Sequence, residues 1–313
     1  MKKISLYIIT YNQEDIIART LDSVLRQKDW GLFRIVVSDD CSQDRTWEIL
    51  QDYKARYPEL VFPYRNEHNF GIYANVQKAE SYLPESDLYT FLAGDDEFCD
   101  GYFEAVQTLI ETQKIDTREA VGVYSDWVTV YPSGKDSVFR QDGVLSGHDL
   151  WSLKARGIIT SRSLMVTKAV KDCYEPMLEG RGLNLTESHY DAQAPLHIRK
   201  VYYIPQVTSK YYAGIGVSTR LDITRSDYLT TQSIEKWEYG LDHYVKNDCD
   251  RAYANYEIQK ARYYLNPSAG AFFKMIRCYK KGQLRGYETP VKDAVLNFMR
   301  LAKYGLCYRK GKS

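Results

Sequence analysis

Short apolar runs alternate with amphipathic stretches in the first third of the chain, and this alternation limits the possible folds more than any other feature. Residues 4–10, ISLYIIT, are apolar and β-branched enough for a strand that is buried on both faces. Residues 14–27 carry apolar side chains at helical spacing, which predicts a helix. Further strands are predicted at residues 33–37, 60–64 and 88–92, with helices at 44–57 and 74–81. This order is typical of an α/β fold, with a mainly parallel sheet and crossover helices.

Three polar clusters directly follow predicted strands, at residues 10–12, 38–40 and 94–97. Ligands of open α/β sheets bind at the carboxyl ends of strands, so we expect these clusters to meet along one edge. Neither the GxGxxG nor the GxxxxGK[ST] phosphate-binding motif occurs in the chain. The clusters instead supply five carboxylates, those of Asp39, Asp40, Asp95, Asp96 and Glu97. Because carboxylates repel a bare diphosphate, a phosphate site here needs a divalent metal; separate helix caps and solvated turns are the alternative.

The pattern changes in the rest of the chain. A helix is predicted at residues 101–113, and strands are predicted at 120–130 and 158–168. Residues 201–213 predict a pair of strands with Pro205 at the turn between them. From about residue 226 the sequence is helical in pattern and basic, which predicts a helical C-terminal extension.

Composition places the chain among soluble globular proteins, with 44% hydrophobic and 27% charged residues and a formal net charge of +1. Its six cysteines are far apart and form no CxxC pair, which favours free thiols in a reducing cytosol. No apolar run approaches the ~20 residues that cross a bilayer. The opening MKKISLYIITYN has too short an apolar stretch for a signal peptide, so we interpret it as the first strand.

Positive charge is concentrated near the C-terminus, where residues 251–313 contain 14 Lys and Arg but only three acidic residues. In GAFFKMIRCYKK the basic residues lie opposite the apolar ones on a helix. Such helices bind anionic membrane surfaces, so one interpretation is that residues 270–313 contact a membrane. An amphipathic helix docked on its own domain is the alternative. No nucleic-acid-binding motif accompanies the charge, so no nucleic-acid partner is predicted.

Four ordered segments carry a family resemblance: YIITYNQEDIIARTLDSVLRQ, FRIVVSDDCSQDRTWEIL, NEHNFGIYANVQKA and YTFLAGDDEF. Together they resemble the family 2 inverting nucleotide-sugar glycosyltransferases of bacterial polysaccharide biosynthesis, whose fold is called GT-A. The resemblance implies a donor-binding half at residues 1–105 and an acceptor-binding half at 106–225. Residues 226–313 would then form the basic helical region.

The resemblance also implies roles for residues at the strand ends. The turn of Thr10, Tyr11 and Asn12 is similar to the segment that meets the nucleotide base. Asp39 matches an aspartate that hydrogen-bonds the base or ribose, and Asp40 is its neighbour. The remaining donor-binding residues implied by the resemblance are Asn69 and Gly71, in a turn beside the nucleotide, and Asp95.

A divalent metal, manganese or magnesium, is implied by the same resemblance. Gly94, Asp95 and Asp96 lie where the family has its metal-binding Asp-x-Asp motif, usually as Leu-Asp-x-Asp-Asp. Ala93 occupies the first Asp position of that pattern. Metal contact is therefore expected at Asp95, with Asp96 as the second ligand, and the protein offers one carboxylate fewer than its relatives.

The general base is expected in the segment TESHYD, residues 186–191. An inverting transfer is a direct displacement, and the acceptor hydroxyl needs a base to take its proton. The family places this base before a strand that reads like Tyr-Ile-Pro, here Tyr203 to Pro205. Glu187 is the first candidate and Asp191 the second; an acid that only stabilises a helix start is the alternative.

These observations predict an inverting glycosyltransferase of the hexosyl or N-acetylhexosaminyl class. The donor expected from the resemblance is a UDP-sugar, with GDP- and dTDP-sugars left open, and the acceptor is a glycan or lipid-linked oligosaccharide. The expected location is the cytoplasm, with peripheral binding to the inner face of the membrane. A nucleotide-sugar-binding protein without transferase activity and a metal-dependent nucleotidyltransferase are the alternatives.

Overall fold

A computed structural model of the protein describes residues 1–141, 162, 164–174, 194–215, 231, 234–235, 237–242, 245, 248–266 and 268–281. The chain divides into two compact units. The first comprises Met1–Glu179 and Thr186–Arg220, and the second comprises Gly180–Leu185 and Leu221–Ser313. The division of the first unit into a donor half and an acceptor half stays a prediction.

One sheet forms the centre of the first unit. The strands described are β1 Ile4–Thr10, β2 Leu32–Asp39, β3 Val61–Arg65, β4 Leu88–Ala93, β5 Glu97–Phe98, β6 Val121–Val130, β7 Ser137–Phe139, β8 Met165–Thr167 and β9 Lys200–Tyr212. Their order is β3-β2-β1-β4-β8-β6-β9-β5. Strand β7 is not part of this order and pairs with β6. The described helices of this unit are α1 Ile17–Leu25, α2 Thr46–Arg56, α3 Ile72–Ser81, α4 Tyr102–Thr112, α5 Lys168–Lys171 and α6 Ala194–His197.

The first four strands form the predicted parallel half of the sheet. Strand β1 pairs in parallel with both β2 and β4, and β2 pairs in parallel with β3. Ile4, Leu6 and Ile8 of β1 are fully buried, because helices cover both faces of a parallel sheet. Helix α1 packs Ile17 and Leu21 into the same core. The predicted α/β fold is confirmed.

The second half of the sheet mixes strand directions. Strand β8 lies antiparallel between β4 and β6, and β9 runs parallel to β6 along ten residue pairs. Short strand β5, directly after the acidic turn, pairs antiparallel with β9, so Glu97 lies opposite Lys210. This pairing folds the acidic turn back against the far end of β9.

The predicted strand pair at residues 201–213 is wrong, because β9 is a single strand of 13 residues. Its register against β6 shifts after Ile204, which faces Ser125, and Val207 is the next residue to pair, with Asp126. Pro205 therefore lies in a bulge. Proline cannot donate a ladder hydrogen bond, and a bulge is one of the few places in a strand that tolerates it. The strand continues past it to the acidic turn.

The second unit contains two described helices of more than ten residues, α7 Asp248–Leu265 and α8 Ala269–Lys281. Met275 of α8 is buried, and the Phe272 ring meets Tyr263 of α7 edge-on at 5.9 Å. Phe273 is 68% exposed. Among the described residues, every helix is too short or too polar to span a bilayer. Residues 282–313 of the predicted membrane-binding segment lie outside the described residues.

Glu80 and Lys171 form a mostly buried ion pair between α3 and α5, with Oε1 and Nζ 3.6 Å apart. Burial raises the pKa of Glu80 to about 7, and Lys171 opposes this shift. Between its ordinary pKa and pH 7, the unfolded chain releases this proton while the folded chain keeps it. Folding stability attributable to Glu80 therefore falls as pH rises through this window.

We predict that Glu80→Gln removes this pH dependence. From pH 5 to pH 7.5, the free energy of unfolding of the wild type should fall more than that of the variant, by on the order of 2–3 kcal/mol. Urea titrations at both pH values measure the difference. The exposed Glu111→Gln on α4 is the matched control. Equal slopes for the wild type and Glu80→Gln would contradict the prediction.

Candidate functional site

The carboxyl ends of β1, β2 and β4 lie side by side, so the three polar clusters share one edge of the sheet. Thr10 pairs with Asp39, and Ile9 pairs with Ala93. Hydrogen bonds continue beyond the strands: the Asp40 N–H donates to the Thr10 carbonyl at 2.9 Å, and the Gly94 N–H donates to the Ile9 carbonyl at 3.0 Å. The turns that follow the strands are therefore held together by their backbones.

Asp39 is fully buried at the end of β2. Its Oδ1 accepts a short hydrogen bond from the Ser42 hydroxyl, and both oxygens lie 3.3 Å from the Ser42 N–H. The Arg65 Nε lies 3.4 Å from Oδ2. Burial raises the pKa of Asp39, while Ser42 and Arg65 oppose the shift. The carboxylate thus shapes the turn that follows β2.

Asp40 has a different environment, because its carboxylate holds the loop before α3. Oδ1 accepts hydrogen bonds from the Asn66 side-chain amide at 2.8 Å and the Phe70 N–H at 2.9 Å. Oδ2 accepts one from the Gly71 N–H at 2.8 Å, and the Asn69 Oδ1 lies 3.0 Å from the same N–H. Gly71 has φ of +86°, a conformation that favours glycine. Asp40, Asn69 and Gly71 are therefore brought together.

The turn after β1 is tied to the turn after β2. Asn12 has φ of +51°, and its side-chain oxygen accepts a hydrogen bond from the Gln43 N–H at 2.7 Å. The Asn12 N–H donates to the Ser42 hydroxyl at 2.9 Å. The Thr10 hydroxyl donates a hydrogen bond to the Gln13 side-chain oxygen at 2.7 Å. Tyr11, the residue after Thr10, is half-buried. These contacts form one side of the site at this edge of the sheet.

The acidic turn after β4 is packed tightly against β1. A Cβ on Gly94 would lie 2.8 Å from the Ile9 carbonyl oxygen and 3.1 Å from the Thr10 Cβ, so only glycine allows this approach. Thr20 of α1 is fully buried beneath the turn. Its hydroxyl donates to the carbonyl oxygens of Gly94 and Asp96, at 2.9 and 2.8 Å. Helix α1 therefore fixes the backbone of the turn.

Two arginine–tyrosine pairs flank the acidic turn. The Arg162 Nη1 lies 2.8 Å from the Asp96 Oδ2, and the guanidinium lies 3.7 Å above the Tyr211 ring. On the other flank, the Arg19 Nε lies 2.8 Å from the Glu97 Oε1, and its guanidinium lies 3.8 Å from the Tyr212 ring. Successive tyrosines of β9 face opposite sides of the sheet, so one strand supplies both rings.

The carboxylates of the turn are almost entirely removed from solvent. Burial raises the pKa of Asp95, against the effect of its own backbone N–H and of the charges of Arg162 and Arg19. Burial also raises the pKa of Asp96 to about 7, and Arg162 is the main opposing influence. Each carboxylate is thus short of positive charge and is stabilised in its ionised form by any cation that approaches.

The acidic turn offers some of the oxygen ligands that a divalent metal needs. Among the described residues, no group of three or more His, Cys, Asp or Glu side chains is arranged to hold a metal. Asp95 offers a buried carboxylate, the kind of oxygen ligand that Mg²⁺ and Mn²⁺ prefer. The Asp96 carboxylate already accepts hydrogen bonds from the Arg162 guanidinium at 2.8 Å and from the Tyr212 N–H at 3.2 Å. Asp95 therefore fits a metal ligand, and Asp96 fits only if it exchanges partners.

The base candidates Glu187 and Asp191 lie outside the described residues, and their roles stay predictions. Sequence reasoning did not place Arg162, Arg19 or the two tyrosines at the acidic turn. Arg162 lies 66 positions from Asp96 along the chain, so no local pattern connects them. Paired tyrosines at the end of a predicted strand were the one available signal.

Comparison with known proteins is consistent with this architecture. Residues 5–134 match the family model described as glycosyl transferase family 2. Over 117 residues the chain is 27% identical to the processive diacylglycerol beta-glycosyltransferase of Mycoplasma pneumoniae, covering 37% of this chain and 34% of that protein. The chain spans about a third of the length of the curated relatives it matches.

Two solved structures resemble the chain over nearly its full length. Staphylococcus aureus TarS 1–349 in complex with UDP-GlcNAc matches with a TM-score of 0.54 and 15% identity, covering 99% of this chain and 92% of that one. The mannosyltransferase PcManGT of Pyrobaculum calidifontis, in complex with GDP-Man and Mn²⁺, matches with a TM-score of 0.54 and 14% identity, covering 99% and 82%. At such identities the likeness shows the fold alone.

The Thr20 contacts generate a testable prediction. Thr20→Val keeps the side-chain volume but leaves two buried carbonyl oxygens without their donor, which should lower the free energy of unfolding by about 1–3 kcal/mol. Thr112→Val, at an exposed position of α4, removes a hydroxyl that bonds only within its own helix and should change stability by less than about 0.5 kcal/mol. Guanidinium titration measures both, and equal effects would refute the role of Thr20.

Proposed function

We propose that this chain, a family 2 glycosyltransferase with the GT-A fold, transfers one sugar from a nucleotide diphosphate donor to an acceptor hydroxyl with inversion at the anomeric carbon. The observation that carries the proposal is the buried acidic turn, Gly94 to Glu97, beside the turns of Thr10 and Asp39 at one edge of the sheet. Nucleotide ligands of open α/β sheets bind at this edge.

The donor we propose is a UDP-sugar. Support comes from TarS, solved in complexes with UDP-GlcNAc and with UDP. PcManGT was solved with GDP-Man, so a GDP-sugar is the donor to compare. On the nucleoside side we assign Thr10, Tyr11 and Asn12 to the base. The other proposed donor contacts are Asp39, Asp40, Asn69, Gly71 and Asp95.

The proposed nucleoside-binding residues have different roles. Asp40 uses both carboxylate oxygens on the loop at Asn66 to Gly71, so it acts by holding that loop. Asp39, whose carboxylate contacts Ser42 and Arg65, is our candidate for a hydrogen bond to base or ribose. Half-buried Tyr11 offers an aromatic ring to the base.

We propose that the diphosphate is bound with manganese or magnesium, held by Asp95 and, as second ligand, Asp96. Mn²⁺ in the PcManGT complex supports this choice. Such an ion, when bound, offsets negative charge on the departing diphosphate. Asp95 contributes a carboxylate that burial has left short of positive charge, and Arg19 keeps the turn in place through the Asp95 carbonyl, 2.9 Å from its Nη2.

Proton removal from the acceptor is assigned to Glu187, with Asp191 as the second candidate. A direct displacement requires the proton to leave as the new bond forms, and a carboxylate positioned against the hydroxyl does this. The acceptor is proposed to be a glycan or lipid-linked sugar. The Mycoplasma pneumoniae relative, a diacylglycerol glycosyltransferase by name, supports a lipid-linked acceptor.

A membrane-facing role for residues 270–313 fits such an acceptor and a place on the inner face of the cytoplasmic membrane. Phe273, Lys274 and Arg277 of α8 are exposed. Basic residues near an anionic surface contribute about 1 kcal/mol each. The alternative, packing within the second unit, is supported by buried Met275.

We predict that Asp95→Asn and Glu187→Gln each lower kcat for sugar transfer by at least about 10²-fold. Asp52→Asn, on the exposed face of α2, is the matched control and should keep wild-type turnover. The assay measures nucleotide release from UDP- and GDP-sugars with Mn²⁺. A binding protein would show no turnover in any variant, and a nucleotidyltransferase would instead release pyrophosphate from a nucleoside triphosphate.

A second prediction concerns the membrane surface. The double variant Lys274→Glu, Arg277→Glu in the full chain should reduce sedimentation with vesicles that contain phosphatidylglycerol, by about tenfold in partition coefficient. Lys114→Glu, Lys135→Glu makes the same change of charge at exposed positions of the first unit and serves as control. Equal binding by both double variants would argue for packing of α8 within its own unit.

A further inference from the structure

Arg162 occupies an unusual position, against the face of one aromatic ring and the edge of the acidic turn. Its Nη1 lies 2.8 Å from the Asp96 Oδ2, and its guanidinium lies 3.7 Å from the Tyr211 ring centre and 5.4 Å from that of Trp127. Trp127 stacks in turn on Phe139 at 5.2 Å. Three aromatic side chains therefore form a wall that supports a single cation.

Comparison with Arg19 shows that the two cations of the turn do different work. Arg19 binds backbone and side chain together: Nη2 donates to the Asp95 carbonyl, and Nε pairs with Glu97. Tyr212 reinforces this by donating its hydroxyl to the Glu97 Oε1 at 2.5 Å. Arg19 is thus built into the turn, whereas Arg162 meets it through the carboxylate of Asp96.

Arg162 is also placed to act beyond Asp96. Its Nη1 lies 2.8 Å from Asp96, the residue next to Asp95, so the guanidinium lies beside the carboxylates proposed to face the diphosphate. Its side chain is 36% exposed, whereas that of Asp96 is 7% exposed. Of this pair, the guanidinium is the partner that solvent and a ligand reach.

We propose that Arg162 is a ligand of the donor's diphosphate, held ready in the absence of donor by Asp96. The inference rests on the proposed function. A planar guanidinium binds phosphate oxygens with two parallel hydrogen bonds, a geometry that a lysine cannot reproduce. When a diphosphate enters, Arg162 exchanges the Asp96 carboxylate for phosphate oxygens while Tyr211 continues to support its flat face. No covalent bond changes in this exchange.

The wall of Trp127, Phe139 and Tyr211 explains why the exchange needs little reorganisation. Contact with the Tyr211 ring restricts the positions open to the guanidinium, which lowers the entropy lost on binding. Asp96 has a second partner, the Tyr212 N–H, which remains when Arg162 leaves. Asp96 and Arg162 therefore each keep one partner before and after the exchange, the Tyr212 N–H and the Tyr211 ring respectively.

The test measures nucleotide binding in EDTA, so that metal does not contribute. Isothermal titration compares UDP with uridine, and GDP with guanosine, for the full-length wild type and for Arg162→Met and Arg162→Lys. We expect Arg162→Met to weaken binding of the preferred diphosphate by at least about tenfold and to leave nucleoside binding unchanged. The diphosphate affinity of Arg162→Lys should lie between those of the wild type and Arg162→Met, because lysine keeps the charge but cannot form two parallel hydrogen bonds.

Two further variants separate binding from positioning. Arg118→Met removes the same charge from an 88% exposed site before the start of β6 and should leave UDP binding unchanged. Asp96→Asn removes the partner that competes for the guanidinium and should strengthen metal-free UDP binding by about threefold or more. Unchanged nucleoside binding by Arg162→Met also shows that this variant is folded.

The outcomes are distinguishable. Equal UDP affinity for wild type and Arg162→Met would overturn the inference. So would an Asp96→Asn variant that loses UDP affinity as Arg162→Met does, because Arg162 would then act only by holding Asp96. If the wild type binds none of the four nucleotides and nucleosides, even with Mn²⁺ added, the proposed function itself fails.

Discussion

The burial of three consecutive carboxylates, those of Asp95, Asp96 and Glu97, is the constraint on which the rest of the site depends. Removing a carboxylate from water costs several kcal/mol unless opposite charge or hydrogen-bond donors replace the lost hydration. Strand β9 meets this need from more than a hundred positions further along the chain. It supplies a backbone N–H to Asp96, a hydroxyl to Glu97, and the two rings that support the arginines.

The two sides of the site satisfy their acids by different means, and this difference has consequences for binding. Asp40 accepts hydrogen bonds from the Asn66 side-chain amide and from the backbone N–H groups of Phe70 and Gly71, in the loop before α3. The backbone of this loop therefore fixes the position of these donors. Asp96 receives opposite charge from the side chain of Arg162, at 2.8 Å. The side proposed to bind the nucleoside is therefore fixed by backbone donors, whereas the side proposed to bind the diphosphate has a side-chain ion pair that a ligand can replace.

Local pattern was sufficient for the parallel half of the fold, because each strand and helix there is specified by its own few residues. The edge at which Thr10, Asp39 and Gly94 meet followed from that order alone. The strand pair at Pro205 was wrong because a bulge is decided by the partner strand β6, which local pattern does not contain. The contact of Arg162 with Asp96 was missed for the same reason, because it depends on a pairing across 66 residues.

Ala93 and Arg162 are two parts of one electrostatic arrangement. The acidic turn carries the carboxylates of Asp95, Asp96 and Glu97, and among the described residues three cations lie within 4 Å of them: Arg19, Arg162 and, at 3.8 Å, Lys210. A fourth carboxylate at position 93 would add a negative charge that these cations do not balance. With alanine there, these cations match the three carboxylates of the turn in number, although burial still raises the pKa of Asp95 and Asp96. Positive charge becomes available to a diphosphate when Arg162 changes partner.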